Sequence, residues 1–257
     1  MLSFNINGYD FGMKVSTFPG GEEHVDILIK RLPRVPDVVT VTAKITSSTE
    51  LMRLALLTDA LKHYARNYKA CTFVLNIPYL PYARQDRRCK VGEAFSLKVF
   101  ASLLNSMEYD RVKVTDCHSE VGLALIDNVE PITQREAIKA NLDAHRMVVA
   151  ADMLVAPDAG SAKKITELAE YYGKPVLQCL KTRTADGRIE VQVLEDTYGK
   201  NLLVVDDICD GGGTFLALAT ALGATESLSL LVTHGIFSKG KDVLLEAYTE
   251  VRAIHEF

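Results

Sequence analysis

Short runs of β-branched and other apolar residues alternate along this chain with stretches whose apolar positions recur every three or four residues. Val38-Val39-Thr40-Val41-Thr42 reads as a buried strand. Ser47 and Glu50 make a capping box ahead of Leu51, Leu54, Leu57, Leu61 and Tyr64, which form one helix face. Cys71 to Ile77 predicts a strand that stops at Pro78. Glu93 to Leu104 predicts a helix with Phe95, Val99 and Leu103 on one apolar face, and Arg111 to Thr115 a strand. The pattern pauses at Asp127 to Pro131 and then resumes. Met153 to Ala156 is a strand and Ala162 to Tyr172 a helix stopped by Gly173-Lys174-Pro175. Val176 to Leu180, Leu202 to Val205 and Leu228 to Val232 are further strands, with a helix over Thr214 to Leu222. Strands alternating with helices imply parallel sheets, and strands this apolar need cover on both faces. The expected architecture is α/β, with two domains, 1–130 and 131–257, each a mostly parallel sheet flanked by helices.

Composition narrows the function classes. Of 257 residues, 48% are hydrophobic and 24% charged, enough apolar material to exclude a disordered chain. No apolar run approaches the roughly 20 residues that span a bilayer, so no membrane partner is expected. The net charge of −4 argues against a nucleic-acid partner, whose phosphates demand a large basic surface. The N-terminus has no basic stretch leading into an apolar one, as a signal peptide would. Five widely spaced cysteines without a CxxC pair fit reduced thiols and a cytoplasmic location. Local basic sites for small phosphorylated ligands remain.

The densest chemistry lies in Val204-Val205-Asp206-Asp207-Ile208-Cys209-Asp210-Gly211-Gly212-Gly213-Thr214. An apolar strand delivers two carboxylates, then a glycine-rich turn, then a helix. Glycines let successive N–H groups converge on an anion, the helix adds its positive end, and Thr214 adds a hydroxyl. Asp206 and Asp207 carry the wrong charge for phosphate and suit sugar hydroxyls. The plain alternative is a strand–turn–helix corner with solvated acids. No Gly-Lys-Ser/Thr follows, so this is not a P-loop.

This segment resembles the phosphoribosyl-diphosphate motif shared by type I phosphoribosyltransferases and ribose-phosphate pyrophosphokinases. The resemblance implies that Asp206 and Asp207 hold the ribose hydroxyls and that Asp210, Gly211, Gly212, Gly213 and Thr214 cradle the 5-phosphate. A second segment separates the two families. Pro78-Tyr79-Leu80-Pro81-Tyr82-Ala83-Arg84-Gln85-Asp86-Arg87 follows a predicted strand. As a bare charge run it would be a solvated face. In its wording it resembles the nucleotide-binding stretch of the pyrophosphokinases, which implies ATP contacts from Arg84, Gln85, Asp86 and Arg87.

Further pieces follow in the order that family has them. Thr115-Asp116-Cys117-His118 resembles the strand-end segment whose His meets metal and ATP phosphates, making His118 a catalytic and metal-binding candidate. Pro157-Asp158-Ala159-Gly160 resembles a segment near the ribose phosphate, with Asp158 a second metal candidate. Lys181-Thr182-Arg183 matches the root of the catalytic loop, which implies catalytic roles for Lys181 and Arg183. Phe18-Pro19-Gly20-Gly21-Glu22 resembles the segment that reaches the adenine of a neighbouring subunit. That implies ATP contacts from Phe18 and Glu22 and a homo-oligomer. Both halves of the family have the phosphoribosyltransferase-type α/β fold.

Departures from the family pattern carry their own expectations. Gly20 stands where the family has Asp. Cys89, Val91 and Gly92 replace basic residues, although Lys90 remains. Gly211-Gly212-Gly213 stand where the family has Thr-Ala-Gly, losing a hydroxyl and gaining room. The resemblance implies an ATP-dependent diphosphokinase with Mg²⁺ as cofactor, acting on the 1-hydroxyl of ribose 5-phosphate and releasing AMP. The small-molecule partners are then ATP and a ribose phosphate. The glycine loop keeps an acceptor extended at the 5-phosphate, such as ADP-ribose, open. The sequence is also compatible with a phosphoribosyltransferase and with a non-catalytic synthetase-associated protein.

Overall fold

Alternation decides the first central strand. In Val38–Ala43, Val39, Val41 and Ala43 are fully buried, while Val38, Thr40 and Thr42, on the opposite face, are half-buried. The computed structural model describes the backbone of residues 1–183, 189–193 and 195–257, and the side chains of 1–179, 191–193 and 195–257. The chain divides into two compact units, Met1–Ile132 and Thr133–Phe257.

The first unit contains strands β1 (Leu2–Ile6), β2 (Tyr9–Phe11), β3 (Met13–Thr17), β4 (Glu23–Ile27), β5 (Val38–Ala43), β6 (Thr72–Ile77), β7 (Arg111–Thr115) and β8 (Val129–Ile132). Its helices are α1 (Ser48–Ala65), α2 (Ser96–Asn105) and α3 (Glu120–Leu125). One six-stranded sheet has the order β2-β1-β5-β6-β7-β8, parallel from β5 to β8. The pause at Asp127 to Pro131 holds its edge strand, β8. β3 and β4 form a separate antiparallel hairpin. α1 buries Leu54, Leu57 and Leu61 as their spacing predicts, each worth roughly 1.5–3 kcal/mol.

The second unit has helices α4 (Gln134–Ala140), α5 (Leu142–Ala150), α6 (Ala159–Tyr172), α7 (Gly213–Leu222) and the single turn α8 (Asp242–Leu245). Its strands are β9 (Met153–Ala156), β10 (Val176–Gln178), β11 (Leu180–Arg183), β12 (Ile189–Gln192), β13 (Asn201–Cys209), β14 (Ser227–Gly235) and β15 (Glu250–Glu256). An all-parallel sheet has the order β10-β9-β13-β14-β15. β11 and β12 pair as an antiparallel hairpin. Val204 and Val232 pack into one buried cluster, Leu203 and Val205 into another, so the sheet has an apolar layer on each face.

Three local expectations need correction. α2 buries Leu97, Phe100, Ala101 and Leu104, while Val99 and Leu103 are exposed, so the core-facing stripe is the other one. Both stripes are apolar, and the sheet selected between them. The Ser47 box is half formed: Ser47 accepts from the Glu50 N–H, but the Glu50 carboxylate takes the Thr46 N–H at 2.7 Å and the N-terminal ammonium. A full capping box sits at Thr133 and Glu136, opening α4. The run Val176 to Leu180 is not one strand, because Leu180 begins the β11 hairpin. Among the described residues no helix is long and apolar enough to cross a membrane.

Candidate active site

In each unit a group of candidate residues leaves the sheet at the C-terminal ends of neighbouring parallel strands, the edge where open α/β sheets bind ligands; Phe18, Glu22, Lys181 and Arg183 belong to the two separate hairpins. In the first unit these are the loops after β6 and β7. The β6 loop is pinned by Leu80 and Ala83, both buried, and turns through Tyr82, whose φ of 64° lies in the left-handed region. The Tyr82 ring rests 5.5 Å from that of Phe100. This geometry costs roughly 1–2 kcal/mol for a non-glycine residue. The Gln85 N–H donates to the Tyr82 carbonyl at 2.8 Å, which closes the turn and leaves Arg84, Gln85 and Arg87 at the surface.

Asp86 differs from its neighbours. Its carboxylate accepts from Arg87 Nε at 2.9 Å and from Ser119 Oγ at 2.8 Å. Those two bonds, with the positive field of His118, hold its pKa below the usual carboxylate range. Asp86 therefore orients Arg87 and ties the β6 loop to the β7 loop. Ser119 serves both sides, since its hydroxyl also accepts the Val121 N–H that opens α3. Ser119 escaped the sequence reading, although Ser before Glu at a helix start is a capping signal. His118 is exposed, one residue before that cap. Farther along the loop, the Glu93 carboxylate accepts from the N–H groups of Cys89 and Lys90, and Arg88 Nε donates to the Glu93 carbonyl.

Phe18 and Glu22 stand at the tip of the β3–β4 hairpin, with Phe18 exposed. The Phe18 N–H donates to the Glu22 carbonyl at 2.8 Å. Below the tip, Arg53 of α1 pairs with Glu23 at 2.5 Å, and Thr17 donates to the same carboxylate at 2.9 Å. The Arg53 guanidinium keeps the Glu23 pKa low and fixes the hairpin to α1.

In the second unit, β9, β13 and β14 end side by side. β13 carries Asp206 and Asp207 outward, and Asp206 Oδ1 accepts the Asp207 N–H at 2.9 Å. Desolvation pushes the Asp206 pKa well up, and the Asp207 and Asp158 carboxylates push it further. Gln134 Nε2 donates to the Asp206 carbonyl at 2.9 Å and to Thr233 Oγ1 at 3.2 Å, bracing the strand ends from α4. Asp158 caps α6, with Oδ1 accepting from Gly160 and Ser161. Asp210, Gly211, Gly212, Gly213 and Thr214 form the turn into α7. Gly212 has a φ of 76°, and a Cβ there would lie 3.0 Å from Leu244. That position requires glycine; the backbone at Gly211 and Gly213 imposes no such demand. Asp210 is held from the next loop, where Ser238 Oγ donates to its Oδ1 at 2.6 Å. Buried Cys179 and Cys209 have thiols pushed up to about 11 and about 12, so neither supplies a thiolate.

Sequence reasoning missed Ser119, Gln134 and Ser238, which act across long sequence separations. The side chains of Lys181 and Arg183 lie outside the described residues; their backbone pairs with β12. For a divalent metal, His118 and Asp158 lie in different units. Among the described residues no three His, Cys, Asp or Glu side chains gather as a metal cage. The carboxylates of the second unit are hard oxygen donors, which fits Mg²⁺ held by one or two protein ligands and substrate phosphates.

Known proteins are similar to this chain in sequence and in fold. The family profile described as the N-terminal domain of ribose phosphate pyrophosphokinase matches residues 6–107. The ribose-phosphate pyrophosphokinase of Aquifex aeolicus is 34% identical over 92% of this chain and 77% of its own length. That of Pyrococcus abyssi is 31% identical over 91% of this chain and 80% of its own. The crystal structure of phosphoribosylpyrophosphate synthetase from Mycobacterium smegmatis superimposes with a TM-score of 0.78. It is 25% identical, over 96% of this chain and 81% of that one. Similarity of this extent makes the chain an enzyme of the ribose-phosphate pyrophosphokinase family.

Proposed function

We propose that the protein transfers the β,γ-diphosphate of ATP to the 1-hydroxyl of ribose 5-phosphate. The 1-oxygen bonds to the β-phosphorus, the bond from that phosphorus to the α,β-bridging oxygen breaks, and AMP leaves. The products are ribosyl 1-diphosphate 5-phosphate, AMP and one released proton. The observation that carries this reading is the pair of acids Asp206 and Asp207 near the end of β13, with the glycine turn into α7 just beyond. Asp206 and Asp207 accept hydrogen bonds from the ribose hydroxyls, and those donors relieve a desolvated carboxylate crowded by others. The turn N–H groups and the Thr214 hydroxyl hold the 5-phosphate at the start of α7.

The first unit takes the nucleotide. Arg84, Gln85 and Arg87 donate to its phosphates, with Arg87 aimed by Asp86. Phe18 offers its ring face to the base and Glu22 a carboxylate to the base edge. Lys181 and Arg183 neutralise the charge that develops on the transferring group. In the first unit His118, and in the second Asp158, are the candidate side chains for Mg²⁺, which would supply charge neutralisation at the phosphates when bound. Catalysis is otherwise positioning, which the pinned loops provide.

The test is AMP formation from ATP, Mg²⁺ and ribose 5-phosphate, followed by chromatography and phosphorus NMR. One AMP per ribosyl diphosphate is expected; product without AMP sinks the reading. An acceptor extended at its 5-phosphate, such as ADP-ribose, is the competing reading, and the ratio of kcat/KM for the two acceptors decides between them.

A further inference from the structure

The glycine turn presents a charge problem. A phosphate held there sits among Asp206, Asp207 and Asp210, and residues 211–213 offer no side-chain donor. The loop after β14 addresses it. The Ile236 and Phe237 N–H groups donate to the Cys209 carbonyl, and the Ser238 N–H donates to the Asp210 carbonyl at 3.2 Å. With the Ser238–Asp210 side-chain bond, these fasten the turn over residues 237–240 directly onto the glycine turn. The turn closes through Gly240, whose N–H donates to the Phe237 carbonyl at 2.8 Å.

Two lysines at that turn have different fates. Lys241 pairs with Glu256 and lies 5.1 Å from the Phe237 ring centroid. Lys239 is exposed, and its stem lies along Gly211: Cε is 3.5 Å and Cδ 3.6 Å from where a Cβ on Gly211 would stand. Its ammonium is one bond farther, and so within about 5 Å of that position. Gly211 has an ordinary backbone conformation, and the absent side chain leaves its surface open to that stem.

Resting on the reading that the turn holds the acceptor's 5-phosphate, we infer that Lys239 is a substrate-binding residue whose ammonium neutralises that phosphate. It adds, from a neighbouring loop, the side-chain donor that residues 211–213 lack. An ammonium–phosphate contact is charge-assisted and stronger than the neutral hydroxyl bond it stands in for.

The experiment compares the parent protein with Lys239→Met, which keeps the stem, and Lys239→Arg, which keeps the charge. Steady-state kinetics and calorimetric titration with ribose 5-phosphate are run on each. For Lys239→Met the expected result is an acceptor KM and Kd raised about tenfold, a charge-assisted bond's worth. Its ATP KM should stay within twofold, and Lys239→Arg should recover most of the loss. Acceptor KM and Kd within twofold of the parent in Lys239→Met would overturn the inference, as would equal weakening toward ATP. If the parent binds ribose 5-phosphate in a Lys239-dependent way but makes no ribosyl diphosphate, the proposed reaction fails and this inference stands. If the parent does not bind ribose 5-phosphate, both fail.

Discussion

Asp86 and Asp206 sit at equivalent edges of two different sheets and titrate in opposite directions. Asp86 has a guanidinium and a hydroxyl donating to it, and its carboxyl is held low. Asp206 is desolvated beside two other carboxylates, and its carboxyl is pushed up. The first unit uses its acid for internal architecture, aiming an arginine outward. The second unit crowds Asp206 with like charge, which suits a ligand that brings hydroxyl donors. One edge geometry thus gives two carboxylate environments, and the partner given to each carboxylate makes the difference.

The sharpest break would come from the second unit. Asp206→Asn combined with Asp207→Asn should raise the acceptor KM by at least about a hundredfold, since each loses a charged hydrogen bond of about 1.5–3 kcal/mol. ATP KM should stay within threefold. Equal losses for both ligands would mean that the two edges share one site chemistry. Next is Lys181→Ala, for which kcat should fall at least tenfold with little change in ATP affinity, the pattern of a transition-state contact. Unchanged turnover would remove Lys181 from the mechanism.

In the first unit the prediction is indirect. Asp86→Ala should raise ATP KM about fivefold through a misaimed Arg87, a loss of about 1 kcal/mol. Arg87→Ala should cost at least as much, and the double variant no more than Arg87→Ala alone. Additive losses would show that Asp86 touches the nucleotide itself. On the stability side, Gly212→Ala should cost about 1–2 kcal/mol, read as a lower urea midpoint, because it forces a side chain into the left-handed region. Gly213→Ala, with open space and an ordinary φ, should not.

The smallest effect tests the comparison most directly, through pH. A carboxyl held low in the fold stabilises it above the ordinary aspartate range near pH 4, and that help fades only as acid titrates the folded form. A carboxyl pushed up penalises the fold while ionised, and the penalty fades as pH falls through its raised value toward pH 4. Asp86→Asn should therefore lower Tm by a similar amount from pH 8 to pH 4. Asp206→Asn should raise Tm at pH 8, with the gain shrinking toward pH 4. A pH-independent gain for Asp206→Asn would place its cause in packing rather than charge.

What could be read from the amino-acid order was whatever depends on near neighbours. The β13 run, its two acids, the glycine turn and the start of α7 lie within a dozen residues, and local physics dictates them. The helix stop at Gly173, whose φ of 63° suits only a permissive residue, is of the same kind. Tertiary structure decided the rest, because the partners are far apart in the chain. Ser119 reaches back 33 residues to Asp86, Ser238 28 residues to Asp210, and Gln134 forward 72 residues to the Asp206 carbonyl. In α2, periodicity offers two apolar stripes, and only contact with the sheet buries Phe100 and Leu104 while leaving Val99 and Leu103 in water. Charge follows the same division: the sequence supplies the carboxylates, and the fold, by choosing which meets an arginine and which meets other acids, sets what each does.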